Sequence, residues 1–389
     1  VTVLGRIAVT GAELVALGTV GRRRSSPLAV MLALVLAFSL LGARSEIRPQ
    51  LLAEPLFALL LWLLVDEMRG ATRRVLWAAP LILVVWANVH GSVLLGSGLL
   101  LLAVAFSVGT MLRRSTFTMG RVGWLTFVAV AAPFANPYGP HLLDYYRSVL
   151  GNDTFSRLLS EWSHSTPTSA PFECAAVAIV ALFVVAQWRR THPFDSLVLI
   201  ALALATLMAQ RNAVWLAFAI AALLPPLVDG VLPSRLQLRE IRGAAALFLL
   251  AGLVGIGMLG HVATTADSAL AKDFPASASP IVTAIRLDPQ ADVLATPSIG
   301  DWLLFRAPAL EGHIVADGRF EVLASQDFFR LIEVLDGARP LQTTFPRARI
   351  LALAPGSALA RRALELPGAR AIADEPHMIA ITLPAQPAR

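Results

Sequence analysis

The polar residues best suited to chemistry lie in short connections between long apolar stretches. Arg211 stands in one connection with Gln210 and Asn212 on either side, and its guanidinium group offers paired donors to an oxyanion. Asn88 and His90 stand in a second connection. A histidine can bind or move a proton near neutral pH, although His90 could also simply cap a tight turn. We therefore expect a phosphate-binding site centred on Arg211, with His90 as a second candidate.

Further polar candidates occupy two other connections, Arg48 with Gln50 and Glu161 with Trp162. Ionisable groups at membrane depth cost free energy unless they are paired, which makes them functional candidates. Arg48 could bind a lipid phosphate, but it could also reach the interface alone or pair with Glu46. Trp162 could stack on a sugar, whereas an interfacial tryptophan often serves as an anchor. Glu161 is the acidic candidate among these residues.

Apolar stretches separate these connections and predict the fold of the first two thirds of the chain. The composition is 56% hydrophobic and 15% charged, with a mean hydropathy of +0.68, which is typical of membrane proteins. Helices of about 20 residues are needed to cross a bilayer core of about 30 Å. We expect a mainly α fold, a polytopic transmembrane bundle of about ten spans. The spans are predicted near residues 4–20, 28–43, 51–65, 75–90, 91–109, 122–136, 173–188, 195–209, 213–228 and 243–262.

The distribution of arginine predicts an orientation for this bundle. Most arginines fall in alternate connections, for example Arg69, Arg121 and Arg190, whereas few share the side of Arg211. The positive-inside rule then places Arg211 on the outer face of the cell membrane. Membrane topology accounts for the net charge of +6, and no nucleic-acid partner is expected. Cys174 is the single cysteine, so no disulfide within the chain is expected.

A change of composition predicts two domains. Residues 1–262 form the helical bundle, with a long outer loop over 136–172, and residues 263–389 form a soluble α/β domain outside the membrane. In the second domain, Ser279 and Pro280 predict a helix start. Strands are predicted at Asp292–Thr296, His313–Ala316, Arg349–Ala354, Ala369–Ala373 and Met378–Leu383, and further helices at Ser325–Asp336 and Ser357–Leu366.

No nucleotide-binding glycine loop and no HExxH zinc motif occurs in the sequence. A donor taken from the membrane is therefore favoured over a soluble nucleotide sugar. We expect no metal site, and the residues identify no cofactor.

Short motifs resemble those of bacterial membrane proteins related to the GT-C glycosyltransferases, the type dependent on dolichyl- or polyprenyl-phosphate sugars. They extend over nearly the whole chain. The matching segments are RPQ at 48–50, WANVHG at 86–91, NPYG at 136–139, EW at 161–162, RN at 211–212, GDWLLF at 300–305 and ADGRFEVL at 316–323.

The resemblance implies inverting transfer of a sugar from a polyprenyl-phosphate donor at the outer membrane face. GT-C enzymes carry an acidic general base in their first outer loop, and this sequence opens at what would be a later span. The base is therefore expected upstream of Val1 or absent, with Glu161 as a substitute candidate. Asp317 is a further acid, but an Asp-Gly pair at a strand end is typical of a turn. The alternatives are a non-catalytic scaffold or inactive relative in cell-envelope assembly and, ranked last, a transporter.

Overall fold

A computed structural model describes residues 25–42, 49–70, 74–114, 119–150, 160–232, 274–318 and 325–384. The described chain separates into two compact units. The first is helical and the second contains a β-sheet. The domain boundary predicted at residue 262 lies outside the described residues, as do the apolar stretches at 4–20 and 243–262.

The first unit is built from helices joined by tight turns and 3-10 segments. Proline stands in the first turn of several helices, where its missing N–H would have no partner in the helix. Ser26 caps the first helix, because its hydroxyl accepts a hydrogen bond from the backbone N–H of Ala29 at 3.3 Å. The helices are α1 Pro27–Gly42, α2 Glu54–Met68, α3 Val75–Ala87, α4 Val93–Arg114, α5 Met119–Ala131, α6 Leu142–Leu150, α7 Pro171–Ala186, α8 Pro193–Met208, α9 Ala213–Leu223 and α10 Pro225–Asp229.

The predicted bundle of about ten transmembrane spans is wrong. Within the described ranges, a single helix, over Val93–Thr110 in α4, is long and apolar enough to cross a membrane. The other apolar stretches among the described residues form shorter helices: α1 has 16 residues, about 24 Å of helix, and α3 has 13, about 20 Å. These helices are about as long as the apolar stretches that predicted them, and most such stretches fall short of the about 20 residues that a span requires.

A buried aromatic cluster lies at the centre of the first unit. Phe57 of α2, Trp86 of α3 and Trp215 of α9 are each almost fully buried. The ring centroids of Phe57 and Trp215 are 5.1 Å apart and those of Trp86 and Trp215 are 5.8 Å apart. Such tilted aromatic pairs add to the free energy gained by burying the rings. We call these three residues the aromatic cluster.

The second unit is a four-stranded sheet between two layers of helices. Its strand order is β1-β2-β4-β3, with β1 parallel to β2 and the other neighbours antiparallel. Its elements are α11 Ser279–Leu287, β1 Asp292–Ala295, α12 Pro297–Arg306, α13 Ser325–Leu335, α14 Leu341–Thr344, β2 Ala348–Leu353, α15 Ala358–Leu364, β3 Arg370–Glu375 and β4 Met378–Thr382.

Alternation along the strands gives each face of this sheet its own apolar core. Val293 and Ile350 point to the face covered by α11 and α12, whereas Leu294 and Leu351 point to the face covered by α13 and α15. Successive side chains of a strand leave on opposite faces, so a sheet covered on both faces needs nearly continuous apolar strands. The runs DVLA of β1 and MIAIT of β4 have this composition.

Most elements of the second unit lie close to their predicted positions, with three differences. The segment His313–Ala316 is not a full strand, because it joins β1 through one bridge between Val293 and Ile314. The helices α12 and α14 were not predicted. Ser279 is the first residue of α11 rather than its N-cap, and Ala278 occupies the cap position.

A glycine on α4 allows this helix to pack against the aromatic cluster. A Cβ atom at Gly96 would lie 2.7 Å from Cζ3 of Trp86 and 2.8 Å from Cδ2 of Leu83. Real Cβ atoms do not approach other heavy atoms so closely, so any side chain at this position would displace the Trp86 indole. Gly98, two residues later on the same helix, has open space around its Cα atom.

We predict that Gly96→Ala lowers the thermal unfolding midpoint and that Gly98→Ala does not. Overpacking costs about 1–3 kcal/mol, whereas replacing a helical glycine with alanine gains about 1 kcal/mol. At Gly98 only the gain in helix propensity applies, because the new methyl group meets no neighbour. Gly98→Ala is therefore the matched control. Unfolding of the purified chain followed by tryptophan fluorescence measures both variants. Equal midpoints for the two variants would show that Trp86 does not hold the position described.

Candidate functional site

The aromatic cluster brings two of the predicted polar connections to the same end of the helical unit. Trp86 stands four residues before His90, and Trp215 stands four residues after Arg211. Because the two indoles pack against each other, the turn after α3 and the turn before α9 are held near one another. The position of both turns therefore follows from core packing.

Arg211 lies against Trp162. The Cζ atom of Arg211 is 4.1 Å from the centroid of the Trp162 ring, which is a cation–π contact. The two residues lie in neighbouring 3-10 segments, Ser160–Trp162 and Gln210–Asn212. The contact fixes the plane of the guanidinium group, and it places Glu161 beside the same cation-bearing turn.

Gln210 anchors the turn that carries Arg211. Its side chain is buried, and its Nε2 atom donates hydrogen bonds to the Oγ atoms of Ser163 at 3.1 Å and Ser169 at 3.4 Å. Its backbone N–H also donates to the carbonyl oxygen of Ser163 at 3.1 Å. These hydrogen bonds join the segment before α7 to the segment after α8, which limits the conformational freedom of Arg211.

A chain of hydrogen bonds sets the tautomer of His90. The indole Nε1–H of Trp86 donates to Oγ of Ser92 at 3.0 Å, and Oγ of Ser92 lies 2.8 Å from Nδ1 of His90. The backbone N–H of Ser92 also donates to this Nδ1 atom at 3.1 Å. Since Nδ1 accepts these bonds, the proton of the neutral imidazole is on Nε2. His90 therefore offers an Nε2–H donor.

His90 is held in its neutral form. Burial, and second the positive charge of Arg211, lowers the pKa of His90 from 6.5 to about 4. The two turns that carry His90 and Arg211 lie near each other because the indoles of Trp86 and Trp215 pack together. The cluster thus offers one permanent cation and one neutral donor, a combination that suits a phosphate oxygen.

Two tyrosines of α6 cover the His90 turn. The hydroxyl group of Tyr146 donates to the carbonyl oxygen of Gly91 at 2.6 Å, and the pKa of Tyr146 is raised to about 12 by burial and second by Tyr145. The hydroxyl group therefore keeps its proton. A Cβ atom at Gly91 would lie 3.4 Å from the Tyr145 ring, so the turn and the ring are closely packed.

The structure brings together some of the predicted site residues and gives others a structural role. His90, Trp162 and Arg211 form the cluster, with Glu161 adjacent in sequence to Trp162. The Asn88 amide donates to the carbonyl oxygens of Val84 at 2.9 Å and Ala135 at 2.7 Å. The Asn212 amide donates to the carbonyl oxygen of Ala205 at 2.9 Å. Both asparagines therefore hold backbone turns.

The remaining predicted site residues lie away from this cluster or outside the described residues. Gln50 is buried in the 3-10 segment Pro49–Leu52 before α2, and Arg48 lies outside the described residues. Within the described ranges, no group of three or more histidine, cysteine or acidic side chains could hold a metal ion. The motifs of the second unit meet each other: the backbone N–H of Gly318 donates to the Asp301 carboxylate at 3.0 Å.

Ser92, Tyr146 and Glu54 were not predicted as site residues. Glu54 is 6% exposed and starts α2 one turn before Phe57, so the two residues share a helix face. Since Phe57 contacts both indoles of the aromatic cluster, Glu54 stands on the cluster side of α2. A glutamate in an apolar helix start was the available signal.

We predict that the His90 pKa makes the wild-type chain lose stability on acidification. The folded-state pKa of about 4 lies below the ordinary value of 6.5, so the unfolded chain binds more protons between these values. The stability contributed by neutral His90 is complete above pH 6.5 and is lost as the pH falls towards 4. His90→Gln should therefore show a smaller drop in unfolding midpoint from pH 7 to pH 5.

His164→Gln, at an exposed histidine, is the control and should keep the wild-type drop. If His90→Gln also keeps it, His90 is not buried as described.

A search of protein-family models finds no match to this chain, and a search of curated proteins finds none either. The resemblance to GT-C glycosyltransferases therefore rests on short motifs and stays a prediction.

Proposed function

We propose that this chain is a membrane glycosyltransferase of the GT-C type, which transfers a sugar from a polyprenyl-phosphate donor at the outer face of the cell membrane. The observation that carries the proposal is the cluster of Arg211, Trp162 and His90. A planar cation and a neutral N–H donor suit the phosphate of such a donor, and the adjacent indole suits an apolar or sugar surface.

The exposed surface of the helical unit supports a location in membrane lipid. Trp77 is 80% exposed, Val185 is 74% exposed and Leu81 is 67% exposed. Large apolar groups exposed on several helices are costly in water and are favourable against lipid. The proposal concerns contact with membrane lipid and includes no number of spans.

The proposed reaction needs a base, an anion site and an acceptor hydroxyl group. The acceptor oxygen attacks the anomeric carbon, the bond from this carbon to the phosphate oxygen breaks, and the polyprenyl phosphate leaves with the bonding electrons. The acceptor proton passes to a carboxylate. Arg211 stabilises the charge that grows on the leaving phosphate, and His90 donates a hydrogen bond through Nε2. Glu161 and Glu54 are the acids proposed for the proton.

We predict that Arg211→Ala weakens the binding of polyprenyl phosphate to the purified chain at least about tenfold, because a charge-assisted hydrogen bond is lost. Arg211→Lys keeps the charge but not the paired donors, so its affinity should be intermediate. Titration in detergent micelles with polyprenyl phosphate measures both variants. Wild-type affinity in Arg211→Ala would remove Arg211 from the site.

Transfer is tested with polyprenyl-phosphate-mannose labelled in the sugar, with cell-envelope membranes as the source of acceptor. Removing a general base costs about 10²–10⁴-fold in rate. We predict that either Glu161→Gln or Glu54→Gln shows this loss while polyprenyl phosphate binding is kept. Wild-type chain that binds polyprenyl phosphate but transfers no sugar would instead support a non-catalytic scaffold or an inactive relative in cell-envelope assembly.

A further inference from the structure

We propose that the helical unit has a second ligand site, a polar cavity that binds a phosphate ester carrying a hydroxyl group. The cavity has a volume of about 410 Å³ and lies among the end of α2, the turn between α7 and α8, and α10. It is at the opposite end of α8 from Arg211, about 24 Å away along 16 helical residues. The lining residues that support the proposal are Arg69, Gln187, Arg190, His192, Asp195 and Gly230.

Arg69 presents a buried donor at this cavity. Its Nη2 atom donates to the Asp195 carboxylate, which fixes the guanidinium group. Its Nη1 atom is buried and has no hydrogen-bond partner. An unsatisfied buried donor on a charged group costs free energy, and an oxyanion bound at the cavity would satisfy it.

Gln187 presents a buried acceptor at the same cavity. The residue is 7% exposed, and its Oε1 atom has no hydrogen-bond partner. A Cβ atom at position 230 would lie 2.5 Å from this oxygen, so Gly230 leaves the space that the carboxamide occupies. A hydroxyl group of a ligand would donate to Oε1. This acceptor is independent of the charged pair.

The charge of the lining residues and the volume of the cavity restrict the class of ligand that the site can bind. Arg69 and Arg190 are cations and Asp195 is an anion, so the lining carries a net positive charge. The buried Nδ1 atom of His192 also lacks a hydrogen-bond partner, and the imidazole packs on Phe106 with ring centroids 5.6 Å apart. The volume is in the range of small-molecule sites. A polyol phosphate satisfies these groups, whether it is free or is the headgroup of a glycerol-bearing phospholipid.

The first test is the binding of glycerol 1-phosphate to the full chain in detergent, with methyl phosphate as the comparison that lacks a free alcohol. Wild-type chain should prefer glycerol 1-phosphate. Gln187→Leu should lower the affinity for glycerol 1-phosphate to that for methyl phosphate. Gly230→Ala should weaken binding of glycerol 1-phosphate because the new methyl group displaces the Gln187 carboxamide.

The second test separates a specific cation from a general charge effect. Arg190→Gln should weaken binding at least about tenfold. Arg189→Gln removes the same charge from the neighbouring exposed residue, which does not line the cavity, and should change affinity less than twofold. Because both residues are exposed, neither change is expected to prevent folding. Equal losses in the two variants would overturn the proposal.

The source of the phosphate is decided with mixed micelles that contain phosphatidylglycerol or phosphatidylcholine. Saturable binding of phosphatidylglycerol that is lost in Arg190→Gln, without binding of glycerol 1-phosphate, identifies a lipid headgroup. Binding of glycerol 1-phosphate alone identifies a soluble ligand. Wild-type chain that binds neither probe overturns the proposal. Arg211→Ala should leave the binding of glycerol 1-phosphate and of phosphatidylglycerol unchanged. A failure of the cavity proposal can therefore be distinguished from a failure of the glycosyltransferase proposal.

Discussion

The packing of Phe57, Trp86 and Trp215 is the interaction on which the rest of the helical unit depends. The three rings come from the consecutive helices α2 and α3 and from α9, which is far from both in sequence, and all are buried. Each indole stands four residues from a polar turn, so one aromatic contact determines where both turns lie. Gly96 completes the arrangement, because the absence of a side chain lets α4 approach the Trp86 ring. The packing of the apolar core therefore determines the geometry of the proposed phosphate site.

Charged side chains lie at both ends of this unit. Near Arg211 the guanidinium group faces an indole, and the nearby imidazole is neutral. At the other end, arginines meet acids: Arg69 pairs with Asp195, and Arg121 pairs with Glu67. Buried ion pairs of this kind add little net stability compared with apolar packing, but breaking one leaves a costly buried charge. The pairs therefore restrict which helices can be neighbours.

Structure that is encoded by neighbouring residues could be predicted from the sequence, whereas structure that depends on distant residues could not. Strands such as Met378–Thr382 are predictable, because alternation and β-branched composition are local properties. The helix Pro297–Arg306 is hidden by its proline and by Gly300, which suggest a loop. Hydropathy identifies apolar segments, but most of the described apolar helices are shorter than the about 20 residues that a span requires, and this explains the mistaken prediction of about ten spans.

The candidate site shows the same limit. Arg211 and Trp162 are both recognisable as unusual residues, but their contact joins positions 49 residues apart, and no local pattern encodes it. The pKa of His90 depends on burial, which a single turn sequence does not specify.

The hydrogen-bond chain from Trp86 through Ser92 to His90 links the tautomer of one imidazole to the orientation of a core indole. A substitution that rotates this indole, even one far from the turn, would free the Ser92 hydroxyl group from Trp86, so that the backbone N–H of Ser92 alone would hold Nδ1 as an acceptor. The surface chemistry of this turn is thus mechanically coupled to the interior. Drift in core volume during evolution would then alter the donor pattern of the turn while every residue in the turn stays the same.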